Sequence, residues 1–110
     1  MTSLRLYIIQ RATALVMIPF ILAHIAVIFY AVSGGLSAED ILMRTRGSIG
    51  WGAFYAVFVL LASTHGAIGL RSILLEWTPL GESAADILAI AFTVVLVMLG
   101  LRAVAAVVIA

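Results

Sequence analysis

Three long runs of apolar residues, each almost free of charge, are the strongest constraint on how this chain can fold. They cover approximately residues 6–32, 49–76 and 84–108. A helix of about 20 apolar residues crosses the hydrocarbon core of a bilayer, so each run is long enough for one crossing. Hydrophobic residue types make up 65% of the 110 residues, more than a water-soluble domain of this size can bury. The sequence therefore predicts an all-α integral membrane protein, with one transmembrane domain of three helices over residues 1–110.

The connection between the first two runs, residues 33–48, contains a helix-start signal. Ser37 is followed by Glu39 and Asp40. A serine cap with acidic residues in the first turn is typical of a helix N-terminus. We therefore expect one or two helical turns after Ser37 at the membrane surface, and the second long helix to begin near Ser48.

The connection between the second and third runs, residues 77–83, is shorter. It contains the segment Thr78-Pro79-Leu80-Gly81, which predicts a tight turn. Ser83 is followed three residues later by Asp86, a spacing that resembles a helix-capping box. We therefore expect Ser83 to be the N-cap of the third long helix.

The basic residues of the chain are all arginines, and the formal net charge is only +1. Without a cluster of basic residues, the chain is not an electrostatic nucleic-acid binder. Among the arginines near the N-terminus and the two connections, three lie towards the N-terminal side of the membrane and two towards the opposite side: Arg5, Arg11 and Arg71 against Arg44 and Arg46. By the positive-inside rule, this majority favours a cytoplasmic N-terminus and second connection, with the C-terminus outside.

Several ionisable residues lie inside or at the ends of the predicted spans: Arg11, His24, His65, Arg71 and Glu76. Ionisable groups at membrane depth are costly, so each is a functional hypothesis. The chain has no cysteine, and a metal bound here would therefore need histidine. No acidic residue lies at the depth of the two histidines, so their pattern does not indicate zinc. A haem held by axial histidines is the cofactor that suits a dry helical core.

His65 is the strongest candidate for such a ligand. Gly69 lies one turn further along the same helix face, and we expect it to leave flat room for the edge of a haem. The alternative is a neutral His65 that is hydrogen-bonded to a serine or a carbonyl of a neighbouring helix. Spacing alone does not decide between these two interpretations.

His24 is the second candidate, and we expect it at a different depth from His65. It lies about 20 Å from Arg11 along the first helix, whereas His65 lies only about 9 Å from Arg71 along the second. The two imidazoles are therefore not expected to be the axial pair of one iron. The alternative for His24 is a lone polar contact between helices.

Further polar and aromatic residues are expected at the same membrane surface as Arg11: Tyr7, Gln10, Arg71, Glu76 and Trp77. Arginines at this level can pair with haem propionates or with lipid phosphates. Aromatic residues at this level are ordinary interface anchors, and together with a hydrogen-bond donor they can also form a site for a quinone headgroup.

Two segments of the sequence, residues 10–14 and 65–77, resemble a known family. The first contains Arg11-Ala12-Thr13, and the second contains His65 with Gly69 four residues later and the pair Glu76-Trp77 at its end. These segments resemble the R-x-[ST] and H-x-x-x-G motifs, with the acidic and aromatic pair, of the membrane-anchor subunits of succinate dehydrogenase and fumarate reductase. The chain is more similar to the smaller of the two anchors of this family, whereas its segment Gly69-Leu70-Arg71 resembles the larger one, so both assignments stay open.

The resemblance implies roles for individual residues. His65 matches the histidine that ligates a b-type haem shared with a partner anchor chain, and Arg11 matches an arginine near the haem propionates and the quinone. Glu76 and Trp77 take the place of an Asp-Tyr pair whose tyrosine binds the quinone carbonyl. Trp77 carries an indole N–H, so it can donate a hydrogen bond but does not offer a phenolic proton. In members with two haems, a first-helix histidine such as His24 serves the haem farther from the cytoplasm.

The function implied is that of a non-catalytic anchor in a succinate:quinone oxidoreductase of the respiratory chain and the tricarboxylic acid cycle. Such an anchor binds one or two b-type haems and either ubiquinone or menaquinone. It docks an iron–sulfur subunit and a flavoprotein subunit on the cytoplasmic face of the cell inner membrane. Two alternatives remain open: a haem-free structural anchor of the same family, and an unrelated small membrane protein for assembly or transport.

Overall fold

The structure, a computed structural model, describes residues 3–109. It contains four helices in the order α1 (Ser3–Gly34), α2 (Ala38–Thr45), α3 (Ile49–Trp77) and α4 (Glu82–Val108). Helices α1, α3 and α4 are each long and apolar enough to cross a membrane. No strand occurs within the described residues. The predicted fold class, an all-α integral membrane protein with three spanning helices, is confirmed.

Helix α3 is the central helix of the bundle. Helix α1 packs antiparallel against one side of it and α4 packs antiparallel against the other, whereas α1 and α4 have little contact with each other. The start of α1 and the turn at residues 78–81 therefore lie at one end of the bundle, which we call the N-terminal end. Helix α2 and the end of α4 lie at the other, which we call the α2 end.

Small residues allow α3 and α4 to approach each other closely. A Cβ atom at Gly100 would collide with the side chain of Val59, and one at Gly52 would lie 3.3 Å from Cγ1 of Val108. Ala85 and Ala89 are buried in the same interface. Close approach through small residues is the usual packing of helices in membranes, because no hydrophobic effect drives them together there.

The starts of α2 and α3 follow the sequence signals. The Oγ of Ser37 accepts a hydrogen bond from the backbone N–H of Asp40 at 3.1 Å, so the predicted short helix is present with the predicted cap. The Oγ of Ser48 accepts from the backbone N–H of Trp51 at 3.1 Å in the same way. Each cap satisfies one of the N–H groups that has no partner within its own helix.

The start of α4 differs from the sequence prediction. The N-cap is Gly81, which makes no side-chain cap bond, and Ser83 lies inside the first turn of the helix. The predicted cap at Ser83 is therefore wrong. The extended backbone of Gly81 ends the tight turn and lets the helix begin at Glu82. The carboxylate of Asp86 binds an arginine of α3 instead of taking part in a cap.

Candidate functional site

His65 lies where α3 crosses α1 near the N-terminal end of the bundle. Its Nδ1 is 3.1 Å from the backbone oxygen of Gln10 and 3.3 Å from Oγ1 of Thr13. Because a carbonyl oxygen can only accept, Nδ1 must carry the hydrogen and donate it. The lone pair of a neutral imidazole then lies on Nε2, for which no hydrogen bond occurs within residues 3–109.

Thr13 and Gln10 are therefore part of the environment of His65, a role that the sequence analysis did not give them. Thr13 is buried, and its hydroxyl lies 2.8 Å from the carbonyl oxygen of Ile9 and 3.0 Å from that of Gln10. Threonine within a helix commonly binds back to the preceding turn. The threonine of the R-x-[ST] motif was the available signal, since its spacing from Gln10 places both residues on one face of α1.

The glycines next to His65 differ from the expectation. A Cβ at Gly69 would lie 3.3 Å from Nε2 of Gln10, so the space beside this glycine is filled by the Gln10 side chain. The expectation that Gly69 leaves room for a haem edge is therefore wrong. Beside Gly66, in contrast, no other part of residues 3–109 lies within 4 Å of a Cβ position, apart from its chain neighbours and the backbone of its own helix. The open side of α3 in this region is therefore at Gly66.

The four residues predicted for propionate or quinone binding all lie at the N-terminal end, and all but one of them are exposed. Arg11 is exposed, and its guanidinium carbon lies 5.1 Å from the ring centroid of Tyr7. Glu76 is exposed at the end of α3, and Trp77 is 81% exposed. Glu76 shares the helix face of His65, about 16 Å further along the axis. These side chains are accessible to a bound molecule or to a partner chain.

Arg71 is the exception, because the structure gives it a partner within the chain. Its Nε donates to Oδ1 of Asp86 at 2.5 Å, and the two side chains are 8% and 27% exposed. This ion pair joins α3 to α4, so Arg71 is directed away from the helix face that carries His65. Arg71 and Arg11 therefore lie at the same end of the bundle, but Arg71 is held by α4. Its role in propionate or quinone binding stays a prediction.

His24 lies at a different level from His65. Its ring makes edge contacts with the rings of Tyr55 and Phe58, at centroid distances of 5.9 and 5.6 Å. These two positions precede His65 by about 10–15 Å along α3. His24 also lines a cavity of about 500 Å³. Its Nδ1 is buried and has no hydrogen-bond partner within the described residues.

The two histidines therefore have different surroundings. Histidines that bind a metal almost always donate their second N–H to a carboxylate, a carbonyl or water, which fixes the tautomer and the ring orientation. His65 makes such a bond with the carbonyl of Gln10, and His24 makes none within residues 3–109. No group of three or more His, Cys, Asp or Glu side chains that could hold a metal ion occurs in this part of the chain. A metal bound to His65 would need further ligands from a macrocycle or another chain.

Comparison with known proteins agrees with the fold. The family described as Succinate dehydrogenase/Fumarate reductase transmembrane subunit matches residues 2–100. No curated protein and no solved structure matches the chain. The match covers all of α3, with the His65 motif, and α1 with the Arg11 motif. The chain thus belongs to the family of succinate dehydrogenase/fumarate reductase transmembrane subunits.

Proposed function

We propose that this chain is an anchor of a succinate:quinone oxidoreductase in which His65 is an axial ligand of a b-type haem. The observation that carries this proposal is the hydrogen bond from Nδ1 of His65 to the carbonyl of Gln10. It leaves the Nε2 lone pair available and fixes the ring, as in histidines that bind metals. The same bond is also expected if His65 has only a structural role and joins the two helices. The unpartnered Nε2 favours the ligand.

The residues around His65 fit a haem in their chemistry. Bound between chains, the haem would supply one-electron transfer between the iron–sulfur subunit and the quinone. Gln10 and Thr13 hold the imidazole in one orientation from the opposite helix. The side of α3 at Gly66, the next residue in the chain, is open. We propose that the second axial ligand comes from the partner anchor, since His24 lies at another depth.

We further propose that a quinone headgroup binds at the N-terminal end, near Arg11, Glu76 and Trp77. The exposed guanidinium and the indole N–H can both donate hydrogen bonds to a quinone carbonyl. Because electrons reach the quinone from the iron–sulfur subunit, this end would face that subunit and the flavoprotein subunit. It would then be the cytoplasmic end, in agreement with the arginine distribution. Either ubiquinone or menaquinone would fit these contacts.

Replacing Trp77 with phenylalanine tests the quinone site. The change keeps the aromatic ring at the membrane interface and removes the N–H. If the indole donates to the quinone, the rate of quinone reduction should fall about three- to tenfold, the effect of one lost hydrogen bond. The rate of reduction of a soluble dye by the same complex should stay unchanged. Trp77→Tyr, which restores a donor, should recover quinone reduction.

An equal fall of both rates in Trp77→Phe would contradict the quinone role. It would indicate that Trp77 contacts another subunit and that the exposed indole is a docking residue. Ile73→Val is a suitable control, because Ile73 is exposed on the same helix but has no donor. It should leave both rates unchanged.

The number of haems tests the proposal as a whole. The prediction that His24 ligates a second haem remains untested, and its unpartnered Nδ1 gives it less support than His65 has. We therefore propose one haem for each pair of anchors, and we expect the purified complex to contain equal amounts of haem and flavin. A measured ratio of two haems per flavin would instead support His24 as a ligand of the second haem. A complex without haem would favour the haem-free structural anchor. The other alternative, an unrelated assembly or transport protein, does not agree with the family match.

A further inference from the structure

The cavity beside His24 lies at the α2 end, between α1 and α4. It has a volume of about 500 Å³ and is lined by residues of all four helices. Most of the lining side chains are aliphatic or aromatic, and Arg44 of α2 is the only charged one. Because α1 and α4 have little contact with each other, the cavity is only partly enclosed. Its size is that of a ligand pocket, and its chemistry is that of a pocket for an apolar chain.

Arg44 has hydrogen-bonding capacity that residues 3–109 do not use. Its Nη2 donates to the carbonyl of Gly35 at 3.2 Å, and its guanidinium carbon lies 5.4 Å from the ring centroid of Tyr30. No carboxylate lies within ion-pair distance of it in residues 3–109. The nearby carboxylate of Asp40 accepts instead from the hydroxyl of Ser37 at 2.6 Å. Arg44 is therefore a half-buried cation without a counter-charge in the described part of the chain.

The position of Arg44 is fixed by the attachment of α2 to α4. The hydroxyl of Thr45 donates to the carbonyl of Val107 at 2.5 Å, and the N–H of Gly47 donates to that of Val108 at 2.7 Å. Arg44 thus lies at the level where α1 ends and α3 begins. In a bilayer this is the level of the lipid headgroups, whereas the apolar part of the cavity lies at the level of the acyl chains.

We propose that this cavity binds one anionic phospholipid from the leaflet on the α2 side, with its phosphate on Arg44 and an acyl chain in the cavity. A guanidinium forms bidentate hydrogen bonds with a phosphate, and the aliphatic lining matches an acyl chain. His24 then forms part of the apolar wall, with its ring against Tyr55 and Phe58. The proposal is independent of haem binding at His65, and it gives the cavity a different occupant from a second haem.

Counting the phospholipid that stays bound to the complex tests this proposal. The detergent-solubilised complex is washed free of lipid and titrated with phosphatidylglycerol or phosphatidylcholine of identical acyl chains, and bound lipid is measured by native mass spectrometry. We expect one tightly bound phosphatidylglycerol per chain, preferred over phosphatidylcholine about three- to tenfold. Arg44→Gln should abolish this preference. Arg46→Gln is the matched control, since Arg46 is exposed and does not line the cavity, and it should keep the preference.

Filling the cavity tests the site of the acyl chain. Ala62 and Ala103 line the cavity, and the double substitution Ala62→Leu with Ala103→Leu should remove retention of both lipids. Ala53→Leu, at an exposed position outside the lining, should not. Retention that survives the filled cavity, or an equal affinity for both lipids in the unmodified complex, would overturn the proposal. Loss of haem from the filled variant would also overturn it, because the cavity would then be a haem site.

Discussion

Replacement of His65 by alanine is expected to remove the b-type haem from the purified complex. Alanine offers no ligand for the iron, and the chain has no second histidine at this depth: His24 contacts Tyr55 and Phe58, whereas His65 contacts Gln10. The absorbance of the Soret band relative to flavin should fall to less than about a tenth of its original value, as expected when one axial ligand of a coordination site is lost. The measurement is a reduced-minus-oxidised spectrum of the complex together with its flavin content.

Two further variants distinguish ligation from loss of folding. His24→Ala should keep the haem, because its ring contacts Tyr55 and Phe58 and its Nδ1 has no hydrogen-bond partner within residues 3–109 to orient it as a ligand. Thr13→Val keeps the shape of the side chain and removes the hydroxyl that lies 3.3 Å from Nδ1 of His65. It should retain the haem and shift its midpoint potential, since the Gln10 carbonyl still holds the ring. An unchanged spectrum in His65→Ala would show that His65 only joins α1 to α3.

The spans and the short helix could be predicted from the sequence because their causes are local. A run of apolar residues long enough for a bilayer has few alternatives to a helix, since every backbone polar group must be satisfied within the segment. The cap at Ser37 is equally local, because its hydroxyl meets an N–H three residues away. The predicted cap at Ser83 failed for a related reason. Two residue positions can begin the helix, and the geometry of the Gly81 turn decides between them.

The environment of His65 could be predicted only in part. Its depth and its role as a candidate follow from the cost of an ionisable group in a span. The carbonyl of Gln10, in contrast, becomes its partner through the packing of α1 on α3. Every residue type has a backbone carbonyl, so the sequence does not indicate this acceptor. The same packing places the side chain of Gln10 against Gly69, in the space that was expected for a haem. A glycine indicates that another group lies close to the helix, but it does not identify that group.

Arg71 shows that the depth of a residue in the membrane does not identify its partner. Its level in the membrane agrees with that of Arg11, but its direction around α3 leads to α4. Arg71 and Asp86 lie at similar distances on either side of the turn at residues 78–81, so an antiparallel hairpin brings them together. This symmetry is present in the sequence. It becomes informative only once α3 and α4 are known to pack against each other directly.

Breaking the ion pair between Arg71 and Asp86 is therefore expected to destabilise the complex rather than to alter its redox chemistry. Removal of one partner leaves the other charge buried without compensation, which costs about 3–5 kcal/mol, and the 27% exposure of Asp86 favours the lower end of that range. Arg71→Gln and Asp86→Asn should both lower the free energy of unfolding in detergent by about 3 kcal/mol.

The double variant Arg71→Leu with Asp86→Leu distinguishes a structural ion pair from a cofactor contact. It leaves no buried charge, so it should recover most of the lost stability, and the difference between the single and double variants measures the coupling of the pair. The haem midpoint potential and the KM for quinone should stay unchanged in the double variant, because neither side chain lies on the helix face of His65. Both Arg71→Gln and the double variant lack the arginine, whereas Asp86→Asn keeps it. A shift of the midpoint potential or of the KM in the first two, but not in Asp86→Asn, would instead mean that Arg71 acts on the haem or the quinone through its other nitrogens. Equal loss of stability with unchanged redox properties in both single variants would place Arg71 in the frame that holds α3 against α4, so that α3 presents His65 to α1 in a fixed orientation.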